Sequence, residues 1–525
     1  MSDAADLGLV PAPASCRRSE GDLELPPRVP VWADPEDLDT LTDLVGPGSG
    51  LRFDPVARLD DALVRLEDAD LPAGAYRLEV GPTGIALSFA GRDGLVHALQ
   101  TLRQLMPPWA CGFAPVTGRP IRLPCLVIED RPRFAWRGVH LDVARHAQPL
   151  SWLFRFVDQL ALHKLNVLHL HLTEDQGWRF EVRGHPRLTE VGSWRSETRL
   201  PAWPDGDGTP HGGFYRQDQL RALVAYAGRR AITVVPEVDV PGHVRALLAA
   251  YPEYGDGTGG HGVATEPGIY PEVLHLTPQT VSMVEEVFTE LLDVFPSRYV
   301  HIGGDECPRR QWRASDEAAR LADDRGLDST DELQGWLTEH LRGWLADHGR
   351  TLVGWDEIVE DANVPGAVVM AWRGSEPGRR ALARGHQVVM APRESTYFDY
   401  YPSDDPDERY AIGGCTTWQQ VLAFDPGEGV PHQQLTGLLG VQGQLWTEYL
   451  PTPDRVEYMA FPRVSALAEV AWSDEPPEAA DFEARLRRHL LRLDAAGVGY
   501  RPLDGPAPWQ RGGTGRWQRP GRPGH

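Results

Sequence analysis

Residues 297–306 read Ser-Arg-Tyr-Val-His-Ile-Gly-Gly-Asp-Glu, a short apolar strand that runs through two glycines into two adjacent acids. Side chains alternate between the two faces of a strand, so Asp305 and Glu306 are expected to point in different directions and to hold different roles at one site. The glycines allow a ligand to approach the backbone closely. An Asp-Glu dipeptide alone is common and is usually a solvated pair, so its interpretation depends on the segments around it.

Apolar strands alternate with helical segments from Gly138 onward, and residues 299–305 are the fourth of eight such strands. This alternation is typical of parallel β/α units, and eight strands predict an α/β fold with a closed (β/α)8 TIM barrel. The predicted strands are 138–145, 166–172, 232–239, 299–305, 351–357, 367–373, 387–392 and 438–447.

Helical patterns fill most of the gaps between these strands, and one helix is predicted to have Ser151 as its N-cap. Three long segments rich in Gly, Pro and Asp follow the second, third and seventh strands. Barrel active sites are built by loops at the carboxyl ends of strands, so these loops are expected to surround the site. The predicted helices are 151–163, 217–230, 278–295 and 330–348, and the loops are 201–213, 252–272 and 400–436.

The region before the barrel has the pattern of a small α+β domain. Residues 76–90 predict two short strands around a Gly-Pro-Thr-Gly turn, and an amphipathic helix at 94–105 and a strand at 123–129 follow. A chain of 525 residues exceeds one ordinary core, which fits a barrel preceded by a smaller domain. The predicted organisation is a flexible N-terminus at 1–25, a small α+β domain at 26–131, the barrel at 132–500 and a flexible tail at 501–525.

Composition excludes several classes of function. The formal net charge of -23 argues against a nucleic-acid partner, which needs a basic face. Lys164 is the sole lysine, so a Schiff-base or phosphate-loop role would depend on that one residue. The 5 cysteines are widely spaced without a Cys-x-x-Cys pair, which indicates reduced thiols rather than a zinc knuckle or a disulfide framework.

Membrane and export signals are weak in this sequence. Its longest apolar runs are far shorter than the roughly 20 residues of a membrane helix, so no membrane association is expected. The acidic residues 1–6 precede an apolar stretch at 7–10 that is too short for a signal-peptide core. Cytoplasmic residence is therefore expected, with an upstream start or another route of secretion left open.

Polar and aromatic residues of the second half collect where the predicted strands end. Carboxylates hydrogen-bond sugar hydroxyls, and indole faces cover the apolar side of a sugar ring. For any one tryptophan, core packing is an equally good explanation, but the shared location favours a sugar site. In chain order these residues are Arg145, Glu174, Asp239, His243, Asp305, Glu306, Trp355, Trp372, Tyr397, Asp399, Trp446 and Glu448.

Four segments in this order resemble the family 20 glycoside hydrolases, the β-N-acetylhexosaminidases, and the resemblance extends over roughly residues 70 to 500. The resemblance implies an exo-acting, retaining enzyme that removes terminal N-acetylglucosamine or N-acetylgalactosamine residues, with no metal and no other cofactor. The segments are 130–145, 171–178, 236–243 and 301–306.

The resemblance assigns the catalytic roles to the two acids. Glu306 is implied to protonate the glycosidic oxygen while the 2-acetamido carbonyl of the substrate attacks the anomeric carbon. Asp305 is implied to orient the acetamido nitrogen and to stabilise the oxazolinium ion that forms. Most retaining glycosidases use an enzyme carboxylate as the nucleophile, and this family is an exception.

The resemblance also implies the contacts of the bound sugar. Tyr397 would hydrogen-bond the acetamido oxygen, and three tryptophans would enclose the acetamido methyl group. Three polar residues would hold the hydroxyls at C3, C4 and C6. The tryptophans are Trp355, Trp372 and Trp446, and the polar residues are Arg145, Asp399 and Glu448.

A second layer around Glu306 is implied to consist of His243 with a carboxylate at position 174 behind it, and Asp239 lies in the same segment as His243. The family often has Asp where this chain has Glu174. One extra methylene moves the carboxylate by about an ångström, so the pairing of Glu174 with His243 is the contact that most needs the structure.

Two other interpretations remain at this point. His169, His171, Asp239, His243 and His301 could hold zinc in a barrel metallohydrolase. Against this, the first two histidines precede the end of their strand by several residues, and the lysine ligand common in such enzymes is absent. The other alternative is a sugar-binding protein on a hydrolase scaffold that has lost its activity. Such a protein could lose the two acids of residues 305–306 first, and both are present.

The sequence leaves several properties open. The C4 hydroxyl is distinguished by loop geometry, so the preference for glucosaminides or galactosaminides is not predicted. The aglycone, the linkage and the oligomeric state are open as well. A small oligosaccharide or glycoconjugate is the expected partner, and chitin disaccharides and cell-wall fragments are candidate substrates.

Overall fold

The computed structural model describes residues 7–116, 118–257, 261–360, 362 and 364–512. A seven-stranded sheet precedes a closed barrel of eight strands. This arrangement confirms the predicted fold class, a (β/α)8 barrel after a small α+β domain.

The first domain is a mixed sheet with the strand order β1-β7-β5-β6-β4-β2-β3. Apolar side chains of its strands pack against the helices Pro35–Ser49 and Gly91–Leu105 and form a core of their own. The predicted hairpin, helix and strand are all present. The strands are β1 (Ser15–Leu25), β2 (Arg28–Trp32), β3 (Arg52–Pro55), β4 (Val64–Asp68), β5 (Tyr76–Gly81), β6 (Gly84–Phe89) and β7 (Ile121–Asp130).

The prediction of a flexible N-terminus at residues 1–25 is wrong for the strand β1. This strand pairs antiparallel with β7 and places Leu23 opposite Leu123. Leu23 and Leu25 are buried, whereas the residues from 17 to 22 are exposed. Backbone pairing and two leucines therefore hold a strand whose charged composition resembles a loop. Residues 1–6 lie outside the described residues.

The predicted flexible tail, residues 501–525, is only partly described. Arg501 is buried and donates to Glu408 at 2.7 Å, and a 3-10 turn follows at Pro508–Gln510. The prediction is wrong for the start of the tail, because an ion pair fixes Arg501 on the barrel. Residues 513–525 lie outside the described residues.

All eight predicted barrel strands are present, with shifts of a few residues at their ends. The barrel consists of β8, β9 and β14 to β19, all parallel, and it closes where β19 pairs with β8. Two short antiparallel hairpins, β10–β11 and β12–β13, lie in its loops. The strands are β8 (Trp136–Asp142), β9 (Val167–His171), β10 (Thr173–Glu174), β11 (Gly177–Trp178), β12 (Trp194–Arg195), β13 (His211–Gly212), β14 (Thr233–Glu237), β15 (Tyr299–His301), β16 (Thr351–Trp355), β17 (Val368–Ala371), β18 (Gln387–Met390) and β19 (Leu438–Leu445).

Helices surround the barrel and bury their apolar faces against the strands. In chain order they are Leu150–Leu162, Arg187–Glu190, Gln217–Arg229, Arg245–Ala250, Pro278–Val294, Arg310–Arg313, Asp316–Asp324, Leu333–Asp347, Ser375–Ala383, Arg393–Thr396, Trp418–Leu422, Pro453–Ala460, Arg463–Trp472 and Ala479–Ala495. No helix among the described residues combines the length and the apolar character needed to cross a bilayer.

The prediction of Ser151 as a helix N-cap is wrong. The helix begins at Leu150, and its N-cap is Pro149, which makes no side-chain capping hydrogen bond. Proline has no N–H to satisfy, and Pro149 has a φ of -60. Because proline stops any extension toward the N-terminus, the helix starts directly after it without a polar cap.

A buried ionic contact joins the two domains. Lys164 Nζ lies 2.7 Å from Asp130 Oδ2, and both side chains are almost fully buried. Asp130 ends β7 and also accepts hydrogen bonds from the Tyr76 hydroxyl at 2.6 Å and the Trp472 indole at 2.9 Å. The sole lysine of the chain therefore has a structural role at the domain junction.

The barrel interior changes from apolar to polar toward the carboxyl ends of the strands. Alternate side chains of each strand fill the interior in layers, as in other barrels of this kind. At the amino ends of β8 and β9, Trp136 and Val167 belong to an apolar cluster. Closer to the carboxyl ends, His169 and Glu237 are completely buried. The polar layer lies directly beneath the candidate site.

Candidate active site

A cavity of about 390 Å³ opens at the carboxyl ends of the barrel strands. Most of the residues predicted for the site line it, and loops after the second, third and seventh strands complete its wall. The lining residues are Arg145, Pro201, His243, Pro267, Gly268, Ile269, Asp305, Glu306, Trp355, Trp372, Tyr397, Asp399, Tyr400, Ile412, Trp446, Glu448 and Tyr449.

Asp305 and Glu306 follow β15 on a loop rather than on the strand itself. The strand ends at His301, so the expected alternation of faces does not apply to the two acids. Gly303 and Gly304 have φ values of 70 and 91, and Glu306 has a φ of 48. A positive φ is strained for a residue with a side chain, and such strain is concentrated at functional sites. The loop conformation therefore directs both acids toward the cavity.

Gly303 has a steric role in this loop. A Cβ at this position would lie 1.9 Å from Oδ1 of Asp239. Asp239 occupies that space because its Oδ1 accepts the backbone N–H of Gly304 at 3.0 Å. The missing side chain thus lets one carboxylate hold the loop that carries the two acids.

His243 lies between two groups of carboxylates. Its Nδ1 lies 2.8 Å from Glu174 Oε1, and its Nε2 lies 3.8 Å from Asp305 Oδ2 and 3.7 Å from Glu306 Oε2. Burial lowers the pKa of His243, but Glu174, Asp175 and Asp305 raise it well above its usual value. The pairing of Glu174 with His243 that the sequence predicted is therefore present, in spite of the longer side chain.

Glu174 and Asp239 do not line the cavity. Both are almost completely buried behind its wall. Glu174 Oε2 lies 2.9 Å from Arg145 Nη2, and Asp239 supports the loop before Asp305. These two predicted site residues can act on a ligand only through the neighbours that they contact.

Glu306 has the properties of a proton donor. Its side chain is 33% exposed, and burial together with the neighbouring Asp305 raises its pKa above the usual value for a glutamate. Asp305 is more enclosed, and its Oδ1 is buried without a hydrogen-bond partner among the described residues. A ligand N–H placed beside Asp305 would supply that partner.

Three further polar residues face the cavity with unused hydrogen-bonding atoms. Arg145 Nη1, Asp399 Oδ1 and Glu448 Oε2 are buried and form no hydrogen bond within the described part of the chain. Burial raises the pKa of Asp399 and of Glu448, and the charge of Glu448 adds to the shift at Asp399. A polyhydroxyl ligand could satisfy these atoms, because each hydroxyl both donates and accepts.

Four aromatic side chains form the remaining walls. The rings of Trp372 and Tyr397 stack at 6.3 Å, and the rings of Trp355 and Trp446 lie 5.8 Å apart. The indole N–H of Trp355 donates to Glu237 at 3.0 Å. This hydrogen bond fixes the plane of the Trp355 indole.

Glu357 was not among the predicted site residues. It accepts the Trp372 indole N–H at 3.0 Å, and burial together with Asp305 and Asp356 raises its pKa to about 8. The acidic pair at 356–357 directly follows β16, which ends in Trp355, and the pair at 305–306 also follows a barrel strand, with residues 302–304 between. That position was the signal that could have identified it. Ile269, Ile412, Tyr400 and Tyr449 also line the cavity, and their loop sequences gave no comparable signal.

The five residues considered as zinc ligands do not form one group. His169 and His301 cluster with Glu237 inside the barrel, whereas Asp239 and His243 cluster with Asp305 at the cavity. His171 contacts Glu237 and Glu174. The arrangement therefore divides these residues between the interior and the cavity wall.

Comparison with known proteins gives matches along the whole chain. The model of the glycosyl hydrolase family 20 catalytic domain matches residues 134–475, and the model of domain 2 of that family matches residues 6–131. A β-N-acetylhexosaminidase of Cellulomonas fimi is 33% identical, and the match covers 98% of each chain. A β-hexosaminidase of Porphyromonas gingivalis is 34% identical, and the match covers 97% of this chain and 66% of that protein.

Solved structures of similar proteins have the same fold. The N-acetyl-β-hexosaminidase of Streptomyces plicatus in complex with thio-NAglucal matches with a TM-score of 0.82 and 30% identity, covering 96% of this chain and 98% of that one. The exo β-N-acetylglucosaminidase of Vibrio harveyi in complex with N-acetylglucosamine matches with a TM-score of 0.82 and 28% identity, covering 96% of this chain and 79% of that one.

Proposed function

Because this chain belongs to glycosyl hydrolase family 20 and is a glycoside hydrolase of the β-hexosaminidase class, we propose that it removes single terminal N-acetylglucosamine or N-acetylgalactosamine residues with retention of configuration. The observation that carries this proposal is the pair Asp305 and Glu306 at the cavity. Both acids approach His243 Nε2, and within the described part of the chain the buried Oδ1 of Asp305 has no hydrogen-bond partner, which suits it for a ligand.

The acids of the cavity support a nucleophile that belongs to the substrate. The acidic residues that line the cavity are Asp305, Glu306, Asp399 and Glu448. Glu448 lies 3.9 Å from Arg145, and the charges of Glu448 and Arg145 both act on Asp399. Asp399 and Glu448 are therefore suited to hydrogen bonds with sugar hydroxyls. Among the four acids that line this cavity, Asp305 then remains as the carboxylate beside the proton donor, and its Oδ1, which has no hydrogen-bond partner among the described residues, suits an acetamido N–H. The acetamido carbonyl is then placed to attack the anomeric carbon.

The proposed reaction has two steps. Glu306 donates its proton to the glycosidic oxygen, the bond from that oxygen to the anomeric carbon breaks, and the acetamido oxygen forms a bond to the same carbon. Asp305 stabilises the positive oxazolinium that results. In the second step Glu306 takes a proton from water, and the water oxygen attacks the anomeric carbon from the face that the leaving group occupied. The bond from that carbon to the acetamido oxygen breaks, which opens the oxazolinium ring. Two inversions give net retention.

The walls support removal of one sugar at a time. Arg145, Asp399 and Glu448 come from the ends of the first, seventh and eighth strands, and together they would close the cavity around the hydroxyls of a terminal sugar. On a chitin pentamer, we expect monomer to accumulate from the start of the reaction. Early release of dimers and trimers would contradict the closed pocket.

The mechanism is tested by comparing three aryl glycosides and one inhibitor. We expect turnover of the β-N-acetylglucosaminide with the β-anomer as the first product by NMR, almost none of the β-glucoside, and slower turnover when the acetyl methyl group is fluorinated. A thiazoline that mimics the oxazolinium should inhibit far more tightly than the product does. Trapping of a glycosyl ester on any Asp or Glu would overturn the mechanism and leave the hydrolase assignment intact.

A further inference from the structure

A polar cluster lies inside the barrel, directly beneath the cavity. It consists of Glu237 on β14 and of histidines on β8, β9 and β15, and all of these side chains are completely buried. The catalytic steps proposed above use none of them. The histidines are His140, His169, His171 and His301.

His171 differs from the other histidines of the cluster in its contacts. Its Nδ1 lies 2.7 Å from Glu237 Oε2, and its Nε2 lies 3.2 Å from Glu174 Oε2. A ring nitrogen that faces a carboxylate at this distance must donate, and an imidazole that donates from both nitrogens is positively charged. His140, by contrast, has no hydrogen-bond partner for either nitrogen among the described residues. His169 receives the Gln442 amide at its Nδ1 at 3.0 Å, and its Nε2 lies 3.0 Å from Glu237 Oε2, so it faces one carboxylate and not two.

The contacts of Glu174 extend this arrangement to the cavity. One oxygen of Glu174 faces His171 and Arg145, and the other lies 2.8 Å from His243 Nδ1. His243 Nε2 then faces Glu306 at 3.7 Å. Carboxylates and imidazoles therefore alternate from the barrel interior to the proton donor.

We propose that His171 is a positioning residue, held as an imidazolium between Glu237 and Glu174 so that Glu174 keeps the Nε2 of His243 directed at Glu306. This inference rests on the proposed role of Glu306 as the general acid. No proton has to move along the chain of contacts. His171 acts through the fixed orientation of Glu174 and through its positive charge.

The charges around each member agree with this assignment. Burial lowers the pKa of His171, but Glu237 and Glu174 raise it to about 10, with a further contribution from Asp142. Burial alone would raise the pKa of Glu237, yet the histidines around it hold that pKa well below its usual value. The rings of His140 and Trp446 lie 5.7 and 5.1 Å from the ring of His171 and add no further anion.

Loss of His171 should affect Glu306 in two ways. Glu174 loses one of its three cationic partners and becomes free to reorient, which moves His243. The positive potential at Glu306 also falls, so its carboxyl group becomes a weaker acid. Asp305, His243, Arg145 and Glu174 act on the pKa of Glu306, and all four remain in the variant. The charged residues that line a cavity with Glu306 on its other side also remain: Arg309, Arg313, Glu357, Glu360 and Arg373.

The test is His171→Gln, with His169→Gln as the matched control from the same strand. Glutamine can still contact one carboxylate, but it carries no charge and cannot bridge two. We expect His171→Gln to lower kcat/KM about 10- to 100-fold for sugar and alkyl leaving groups and only a few-fold for nitrophenyl glycosides. The alkaline limb of its pH profile should move to higher pH.

The control variant His169→Gln measures how much kcat/KM falls when a buried imidazole of the same strand is lost. His169→Gln should change all leaving groups by the same factor and leave the pH profile in place. If both variants lose the same factor for every leaving group, His171 is only a packing residue and the inference is wrong.

A measurement on the unchanged protein covers the case in which His171→Gln does not fold. Neutron diffraction from crystals at pD near 8 should show deuterium on both ring nitrogens of His171. A bare nitrogen there, in a protein that hydrolyses the aryl N-acetylglucosaminide with retention, would overturn this inference alone. Absence of that hydrolysis in the unchanged protein would instead overturn the proposed function.

Discussion

The proton donor shows how one residue depends on its backbone and its neighbours. Glu306 has a φ of 48, which directs its side chain out of the loop and toward His243. Burial and Asp305 favour its protonated form. A donor must hold its proton until the transition state, so both properties serve the proposed reaction.

Glu306→Gln keeps the shape of the side chain and removes the proton. Loss of a general acid commonly lowers the rate by about 10² to 10⁴. We expect that loss for alkyl and sugar leaving groups and a smaller one for nitrophenyl leaving groups, which need little protonation. Steady-state rates on a series of leaving groups measure the difference.

Glu339→Gln is the control for this substitution, because Glu339 is an exposed acid that pairs with Arg342 on the helix Leu333–Asp347 and does not line the cavity. It should leave all rates unchanged. Near-normal activity of Glu306→Gln on a sugar leaving group would show that another group is the acid.

Glu357 provides a prediction about stability and pH. Its folded-state pKa is raised to about 8 from 4.5, mainly by burial. The unfolded chain releases this proton above pH 4.5 while the folded protein retains it, so the group lowers stability progressively as pH rises from about 4.5 to 8.

Replacing Glu357 with Gln removes that effect. Glu357→Gln should therefore be more stable than the unchanged protein at pH 8, by on the order of 1 to 3 kcal/mol, and the difference should shrink toward pH 5. Thermal unfolding at several pH values measures this. A difference that is constant with pH would contradict the raised pKa.

The site could be predicted from sequence where a residue sits next to the end of a strand. Parallel strands end at the same edge of the barrel, so Arg145, Trp372 and Glu448 meet although they are far apart in the chain. Ile269 and Ile412 reach the cavity from long loops, whose path depends on packing that no local pattern encodes. Contacts behind the wall, such as that of Asp239 with Gly304, also require the folded structure.

Among the elements, the loop after β15 is the one that depends most on backbone conformation. Gly303→Ala would place a Cβ 1.9 Å from Asp239 Oδ1, in addition to the strain of a positive φ. We expect loss of most activity and a large destabilisation, because either the loop or Asp239 must move. Turnover and unfolding by denaturant are the measurements.

Gly326→Ala separates the two causes. Gly326 has a φ of 69, close to the value of 70 at Gly303, and a Cβ there would meet nothing within 4 Å. This control should cost only about 1 to 2 kcal/mol, the usual penalty for the left-handed conformation. Equal effects of the two substitutions would show that contact with Asp239 is unimportant.

The barrel strands were predictable because of their apolar content. The eight barrel strands are buried on both faces and read as apolar runs, so each was found. The strand β1 was missed because its exposed charged residues hide a pattern that consists of two leucines. The helix start at Leu150 was misplaced because proline, rather than the polar Ser151, ends the preceding segment.

At the scale of the whole molecule, the two domains depend on the buried contact between Lys164 and Asp130. Removal of one partner of a buried pair commonly costs about 3 to 5 kcal/mol. Lys164→Met should therefore destabilise the protein by about that amount, because Asp130 loses its cation but stays buried. Residual KM should be unchanged, since neither residue lines the cavity.

Arg131→Met is the control for that substitution. Arg131 pairs with Asp474 at 2.7 Å near the same junction, but both side chains are about half exposed. Exposed pairs contribute about 0 to 1 kcal/mol, so this variant should remain close to the unchanged protein. A comparable loss of stability in both variants would show that burial does not make the Lys164–Asp130 pair more stabilising than an exposed pair.

The burial of Lys164 also determines how the folded protein reacts with amine-selective reagents. With its side chain 1% exposed and no second lysine in the sequence, the folded chain offers no accessible ε-amine to acylating dyes, to glutaraldehyde or to activated resins. Acylation at this position must wait until the two domains separate. The rate at which Lys164 becomes labelled therefore measures how often the domain junction opens in the native protein.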